Sequence, residues 1–439
     1  MRKFVLGVSA ALAVAAAESA AAPPAPVVPV MPSEKEIAPA QAMAPIESIG
    51  GTPIDFGGSG APVVSVGASD VLTGSGNSGR AAGRFYAEAS YLLMWTNDGN
   101  TNIPIATGGP SLGIVGQTGT TVLLGNSAVD YGTINGFKVA AGGFIGDSRT
   151  GIEFAGTYIG RTTQTGTAGP TSISTIGRPF RDPRTGVENS VITAAAGAFN
   201  GGVTMTNSLE AYSAELNPFF RVVDGGRVTI DLITGFRYFQ HAETLNIYSG
   251  STLQAGGVSA FNGFGLAAPA SVLVHDRFGA HTTFYGANLG AKASFGSNRL
   301  FLDLTGKVAI GGVRQNVSVD GSTTVTSGGG FAAPASTQGG FLTAGQNLGE
   351  RSDSRFAVLP EGNATIGYQV TSWANVFAGF TVIYLDTVAR PNDQISRSFT
   401  ANSIPTTPTY TRPTGQRTTA IIDDDFYLYG FNFGVTFSY

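Results

Sequence analysis

Residues 426–439 alternate with a period of two. Tyr427, Tyr429, Phe431, Phe433, Val435, Phe437 and Tyr439 are aromatic or β-branched, and Gly430, Asn432, Gly434, Thr436 and Ser438 between them are small or polar. Successive side chains of a strand point to opposite faces, so this is a β-strand with one apolar and one wet face. The apolar face is too aromatic and too uniform for an edge strand of a soluble sheet. It suits a strand that faces lipid.

The other end of the chain agrees. Arg2 and Lys3 precede an apolar stretch over residues 4–17, and after Glu18 small residues fill 19–22. This pattern predicts a secretory signal peptide over residues 1–22. It is too short for a spanning helix, which needs about 20 apolar residues. Residues 426–439 resemble the C-terminal recognition strand of bacterial outer-membrane barrels, which the barrel-assembly machinery reads. Tyr429, Phe431, Phe433, Phe437 and Tyr439 are then the expected assembly signal. The expected location is the cell outer membrane, with its lipid and that machinery as partners.

Charged residues make up 12% of the chain, about half the usual fraction of about 25%. A wide lipid-facing belt needs few charges. The net charge of −4 is too mild to imply nucleic-acid binding, and zero cysteine excludes a disulfide scaffold, thiol chemistry and a lipid-modified cysteine.

Residues 23–83 are rich in Pro, Ala, Gly, Ser and Val without a sustained period, which predicts a disordered periplasmic arm. From residue 84 to 439 alternating segments recur. They predict ten strands, at 84–95, 135–145, 150–160, 208–222, 227–240, 281–295, 299–311, 354–370, 373–386 and 426–439. Tight turns at 146–149, 223–226, 296–298 and 371–372 alternate with five long connections, at 96–134, 161–207, 241–280, 312–353 and 387–425. Short periplasmic turns and long extracellular loops are the habit of outer-membrane barrels. The predicted fold is therefore all-β, a single antiparallel transmembrane barrel of about ten strands. Twelve is the alternative, if residues 187–199 or a hairpin around Asp320-Gly321 join it.

Parity assigns the two faces. Asp303, Thr305 and Lys307 share one face of their strand, and Leu302, Leu304, Val308 and Ile310 share the other. A lysine on the lipid face near the midplane costs about 2–4 kcal/mol, so the polar face should line the lumen. The expected lumen charges are Glu88, Lys138, Glu153, Glu215, Asp231, Arg237, Lys292, Asp303, Lys307, Arg355 and Glu361. Their mixed signs suit either a selective lining or a salt-bridged plug. Eight strands are just filled by side chains and wide channels take about sixteen, so ten favour the plug.

Motifs for chemistry are weak. His241, His275 and His281 are the three histidines, and His275-Asp276 and His281 could face His241-Ala242-Glu243 across the third connection, as a base with a carboxylate or a weak metal site. There is no HExxH and no Gly-x-Ser-x-Gly elbow. Asp423-Asp424-Asp425 lacks EF-hand spacing and reads as a solvated acidic rim. The expectation is a protein that is not an enzyme and uses no metal or cofactor.

Several segments resemble the planctomycete outer-membrane β-barrel family catalogued as BBP type seven. They are Tyr91-Leu92-Leu93-Met94-Trp95, Gly151-Ile152-Glu153-Phe154, Arg178-Pro179-Phe180, Gly235-Phe236-Arg237-Tyr238, Lys307-Val308-Ala309-Ile310-Gly311 and Arg390-Pro391-Asn392-Asp393-Gln394-Ile395. The resemblance covers about residues 84–439. It implies an outer-membrane barrel and supplies no catalytic or binding residues. Three functions stay open: a structural or weakly porous barrel, a surface-binding protein acting through its loops on an extracellular ligand, and a barrel hydrolase. No motif specifies an oligomeric state.

Overall fold

The computed structural model describes residues 85–439, apart from 147, 170–174, 256–257, 327–334, 344–346, 398, 408–409 and 412–419. The expected signal peptide and arm lie outside the described residues. Ten strands form a closed ring: β1 (Phe85–Thr96), β2 (Ile134–Phe144), β3 (Thr150–Ala168), β4 (Phe199–Gly225), β5 (Val228–Leu253), β6 (Ser271–Ser297), β7 (Leu300–Thr326), β8 (Gly349–Gln369), β9 (Ala374–Ala389) and β10 (Asp423–Ser438). Each pairs antiparallel with the next, and β10 returns to β1 from Tyr86↔Ser438 to Thr96↔Leu428. Closure removes the sheet edges at the level of the ring, while above it residues 349–360 of β8 have no ladder partner on β9.

The outward face carries the apolar belt. On β7 it runs Leu300, Leu302, Leu304, Val308 and Ile310, all exposed. That length matches the roughly 9–11 residues a tilted strand needs to cross a bilayer. Aromatic rings mark its upper border. Tyr212, Tyr238 and Tyr285 stand on β4, β5 and β6 with centroids 5.7 and 5.2 Å apart, and Tyr384 and Tyr427 pair at 4.7 Å. Above this border the outward face of β7 turns polar, with Arg314, Asn316, Ser318 and Asp320.

The strands continue well past the belt. β4 to β7 are 26 or 27 residues long, so the barrel stands above the membrane plane on that side. The long connections are shorter than the sequence pattern suggested, because alternation goes on with small and polar residues outside.

Two expectations fail here. Of residues 187–199, only Phe199, the first residue of β4, belongs to the ring. Strand Glu188–Ala195 pairs with Thr175–Arg181 and meets the barrel through one register pair, Ala195↔Phe199. Nor does the chain turn at Asp320-Gly321. β7 runs straight through, with Gly321 opposite Asp276 and Asp320 opposite Arg277. A Cβ at Gly321 would stand 2.4 Å from the His275 carbonyl oxygen and 2.9 Å from the Gly340 nitrogen. The glycine serves a close approach of backbones rather than a turn.

The connections fold inward as a cap. Strands Gly99–Gly108 and Thr121–Val129 of the first connection form a hairpin, which pairs with Thr175–Arg181 of the second. A small hairpin, Val258–Phe261 with Phe264–Ala267, comes from the third. Ala335–Gln338 of the fourth pairs with the end of β7. Ile105, Ile176, Val191, Leu245, Ile247, Phe278, Val317 and Phe341 share the apolar core between cap and barrel.

Candidate functional site

Five consecutive strands send polar side chains to a single cluster in the membrane-level lumen: Glu215 and Asn217 on β4, Arg237 on β5, Asn288 on β6, Lys307 on β7 and Glu361 on β8. Glu215 is directly opposite Arg237 in the ladder, and Lys307 is opposite Glu361. Lys307 Nζ lies 2.7 Å from Glu215 Oε2 and 3.1 Å from Glu361 Oε1. Arg237 Nη1 lies 2.5 Å from Glu361 Oε2. Asn288 and Asn217 each donate to Glu215 Oε2, at 3.0 and 2.9 Å. Two cations meet two anions, so the cluster is formally neutral. Gly290 makes room for it, since a Cβ there would stand 2.8 Å from Lys307 Cγ. Lys307 is 7% exposed, whereas Leu304, three residues earlier, is 43% exposed on the outer face.

The other expected lumen charges spread along the same interior. Arg221 donates from Nε and Nη2 to the two oxygens of Asp231, at 2.8 and 3.1 Å, and lies over the Phe144 ring. Lys292 Nζ is 3.3 Å from Asp303. Tyr86 donates to Glu153. Glu88, Lys138 and Glu153 are half-buried, between the outward residues of their strands. Arg355 keeps the inward parity of Ala357, Leu359 and Glu361 but lies above the charged cluster, 40% exposed, paired with Asp353 and Asp423. On β10, Tyr429, Phe431, Phe433 and Tyr439 are exposed on the outward face, and Phe437 stacks on Trp373.

Directly above the charged cluster lies an apolar layer with Met94, Ile134, Phe239, Phe284, Ala309, Leu359, Leu385 and Phe426. Above that layer, Arg390 from the fifth connection enters the barrel. Its Nη1 is 3.2 Å from Glu243 Oε1 on β5, Nη2 donates to Asn97 Oδ1 at 2.8 Å, and Nε is 2.9 Å from Asp424. Burial pushes the Glu243 carboxyl up, but Arg390 and His241 outweigh it and the net shift is downward. The acidic run is thus paired rather than free, although Asp424 keeps 39% exposure. Gln315 and Arg355 hold Asp423, Arg390 holds Asp424, and Tyr384 donates to Asp425.

The histidines do not assemble. His241 points inward and is fully buried against Phe426, with Nε2 3.1 Å from Glu243. His275 and His281 sit on β6 with the opposite parity and face outward, half-buried or exposed. Burial lowers both imidazoles below the ordinary value. Asp276 faces inward, away from His275. Among the described residues no group of three or more His, Asp or Glu could hold a metal ion.

Sequence reasoning missed Arg178, Asp276, Glu243 and Arg390 as docking residues. Arg178 and Arg390 open the Arg-Pro motifs quoted above. The inward run Phe239, His241, Glu243, Leu245, Ile247 continues the β5 parity and was the available signal for Glu243.

A family model described as "Putative beta barrel porin-7 (BBP7)" matches residues 86–439. The chain belongs to this family. It is a β-barrel of the outer membrane. Among solved structures, the outer-membrane protease OmpT of Escherichia coli is similar at 10% identity and a TM-score of 0.38, over 81% of this chain and 96% of that one. The monoaromatic hydrocarbon channel TodX, as a deletion mutant, follows at 6% identity and 0.20, over 82% and 91%. A Pseudomonas aeruginosa FadL homologue follows at 7% identity and 0.21, over 81% and 90%. No curated protein matches the chain.

Proposed function

We propose that this BBP7 barrel is a closed outer-membrane protein, without a steady open pore, and that its working surface is the extracellular cap. The observation that carries this reading is the stack inside β4 to β8. The buried cluster of Glu215, Arg237, Lys307 and Glu361 lies under an apolar layer, and the cap lies over that layer. An ion entering the lumen would have to break paired charges and then cross apolar side chains. Removing one partner of such a buried pair costs about 3–5 kcal/mol. The reading assigns no catalysis: among the described residues the histidines are dispersed and none stands beside a nucleophile that it could activate. It keeps the assembly machinery as a partner through the outward aromatic row of β10, so Tyr439→Asp should impair insertion into the outer membrane.

The test is single-channel recording of the refolded protein in planar bilayers. A closed barrel gives no steady conductance. Large steady currents that change when Lys307 and Glu361 are exchanged for neutral residues would replace this reading with a porin.

A further inference from the structure

A cavity of about 310 Å³ lies inside the barrel extension, between β5, β6 and the cap. Phe261, Leu266, Val272, Val274 and Phe341 form apolar walls, and all are buried. Ile192, Phe199 and Ala260 are half-exposed and lead to solvent. The volume is at the lower end of small-molecule sites.

One charged side chain reaches this cavity. Arg178 is 2% exposed, and its Nη1 donates to Asp276 Oδ2 at 2.6 Å. Asp276 Oδ1 is already taken by the Leu342 and Thr343 backbone N–H groups and the Thr343 hydroxyl, at 2.7, 2.9 and 3.0 Å. Asp276 therefore engages one nitrogen of the guanidinium, Nη1, which also reaches the Ser249 hydroxyl at 3.4 Å. Among the described residues, no hydrogen-bond partner reaches Arg178 Nε or Nη2, nor the hydroxyls of Ser190 and Ser251, which line the same cavity. Buried donors without partners are rare and demand an explanation. The free Nε and Nη2 edge presents two parallel N–H groups, a match for a carboxylate.

We propose that the cavity binds a small amphipathic carboxylate. The two oxygens lie on the Nε and Nη2 edge of Arg178, with Ser190 and Ser251 as further donors, and the hydrocarbon tail runs along Phe261, Val272 and Val274 toward the half-exposed mouth. The proposal rests on the reading of the cap as the working surface and names its ligand class. A carboxylate satisfies the four free donors together. An uncharged alcohol satisfies fewer of them, and a bare hydrocarbon satisfies none.

The experiment titrates sodium octanoate into the refolded full chain in lipid nanodiscs by calorimetry, with empty nanodiscs subtracted. One saturable site is expected. 1-Octanol should bind at least about tenfold more weakly, because charge-assisted hydrogen bonds are lost. Arg178→Lys keeps the charge and loses the double donor edge, so it should weaken octanoate by a similar factor. Arg178 also holds Asp276, so a second variant leaves that pair alone. Ala260→Trp fills the mouth and should abolish the site while heat-modifiable migration stays normal. Absence of a saturable site, octanol binding as tightly as octanoate, or unchanged binding in Ala260→Trp overturns the proposal and leaves ordered water on the free donors. Conductance of the same preparations separates the two readings. A pore with octanoate bound defeats only the closed lumen, and a silent barrel without octanoate defeats only the pocket.

Discussion

Arg390 places its guanidinium 3.2 Å from Glu243 Oε1 inside the barrel, and both side chains are fully buried. One residue lies in the fifth connection and the other in β5, so the contact pins a loop to the barrel interior. Arg390→Ala leaves Glu243 buried without its main cation. The expected loss is about 3–5 kcal/mol, read as a lower urea midpoint of the refolded protein. Combining Arg390→Met with Glu243→Gln should recover most of it. A midpoint within error of wild type in the single variant would show that the cap is not held there.

This contact also shows where the sequence stops being informative. Alternation exposed all ten strands and the parity of Lys307 against Leu304, because each strand has one face in lipid and one in the lumen. The same rule weakens above the membrane. Outward residues such as Arg314 and Ser318 are polar, while inward ones such as Val317 and Val319 meet the cap, so these stretches resemble loop composition. What the cap docks against is a long-range choice that no local pattern carries. His275 and His281 could be paired with His241 on paper, and only the opposite parity of β5 and β6 keeps them apart. Asp320-Gly321 has the form of a turn, and only the approach of Gly340 reveals its role.

That approach makes Gly321 sensitive. Gly321→Val would drive side-chain atoms into the His275 carbonyl and the Gly340 backbone, and overpacking of this kind costs about 1–3 kcal/mol. The fourth connection should loosen first. Limited proteolysis of intact cells should then cut within residues 335–343 faster than in wild type. Equal cutting rates would mean that the backbone gives way without cost.

Asp393 supplies a pH test. Burial first, then the neighbouring Asp424, pushes its carboxyl up from 3.8 to about 6, against the pull of Arg390. At pH below about 4 the group is protonated in both folded and unfolded chains. Between about 4 and 6 the folded chain keeps its proton while the unfolded chain releases it, so stability falls as pH rises through that window. Asp393→Asn removes the penalty. At pH 7 it should stabilise the protein by about 1–2 kcal/mol, a range already reduced for partial solvent screening. At pH 4 the two proteins should unfold at nearly the same urea concentration. A gain at pH 4 as large as at pH 7 would refute the titration.

Three positions on β7 report three surroundings. Leu304 is outward within the apolar belt, Ala309 is inward in the layer above the charged cluster and fully buried, and Arg314 is outward and exposed above the aromatic border. Single cysteines at these sites can be probed in a chain that has none of its own. Leu304→Cys should react with a membrane-soluble maleimide and resist a charged one. Arg314→Cys should react with the charged reagent in intact cells. Ala309→Cys should resist both, because neither lipid nor bulk water reaches it when the lumen is closed. A register slip of one residue would exchange the Leu304 face for the lumen face, and Leu304→Cys would then lose its lipid signature. Rapid reaction of Ala309→Cys with the charged reagent would mean that water passes the apolar layer, and the closed barrel would have to give way to a channel.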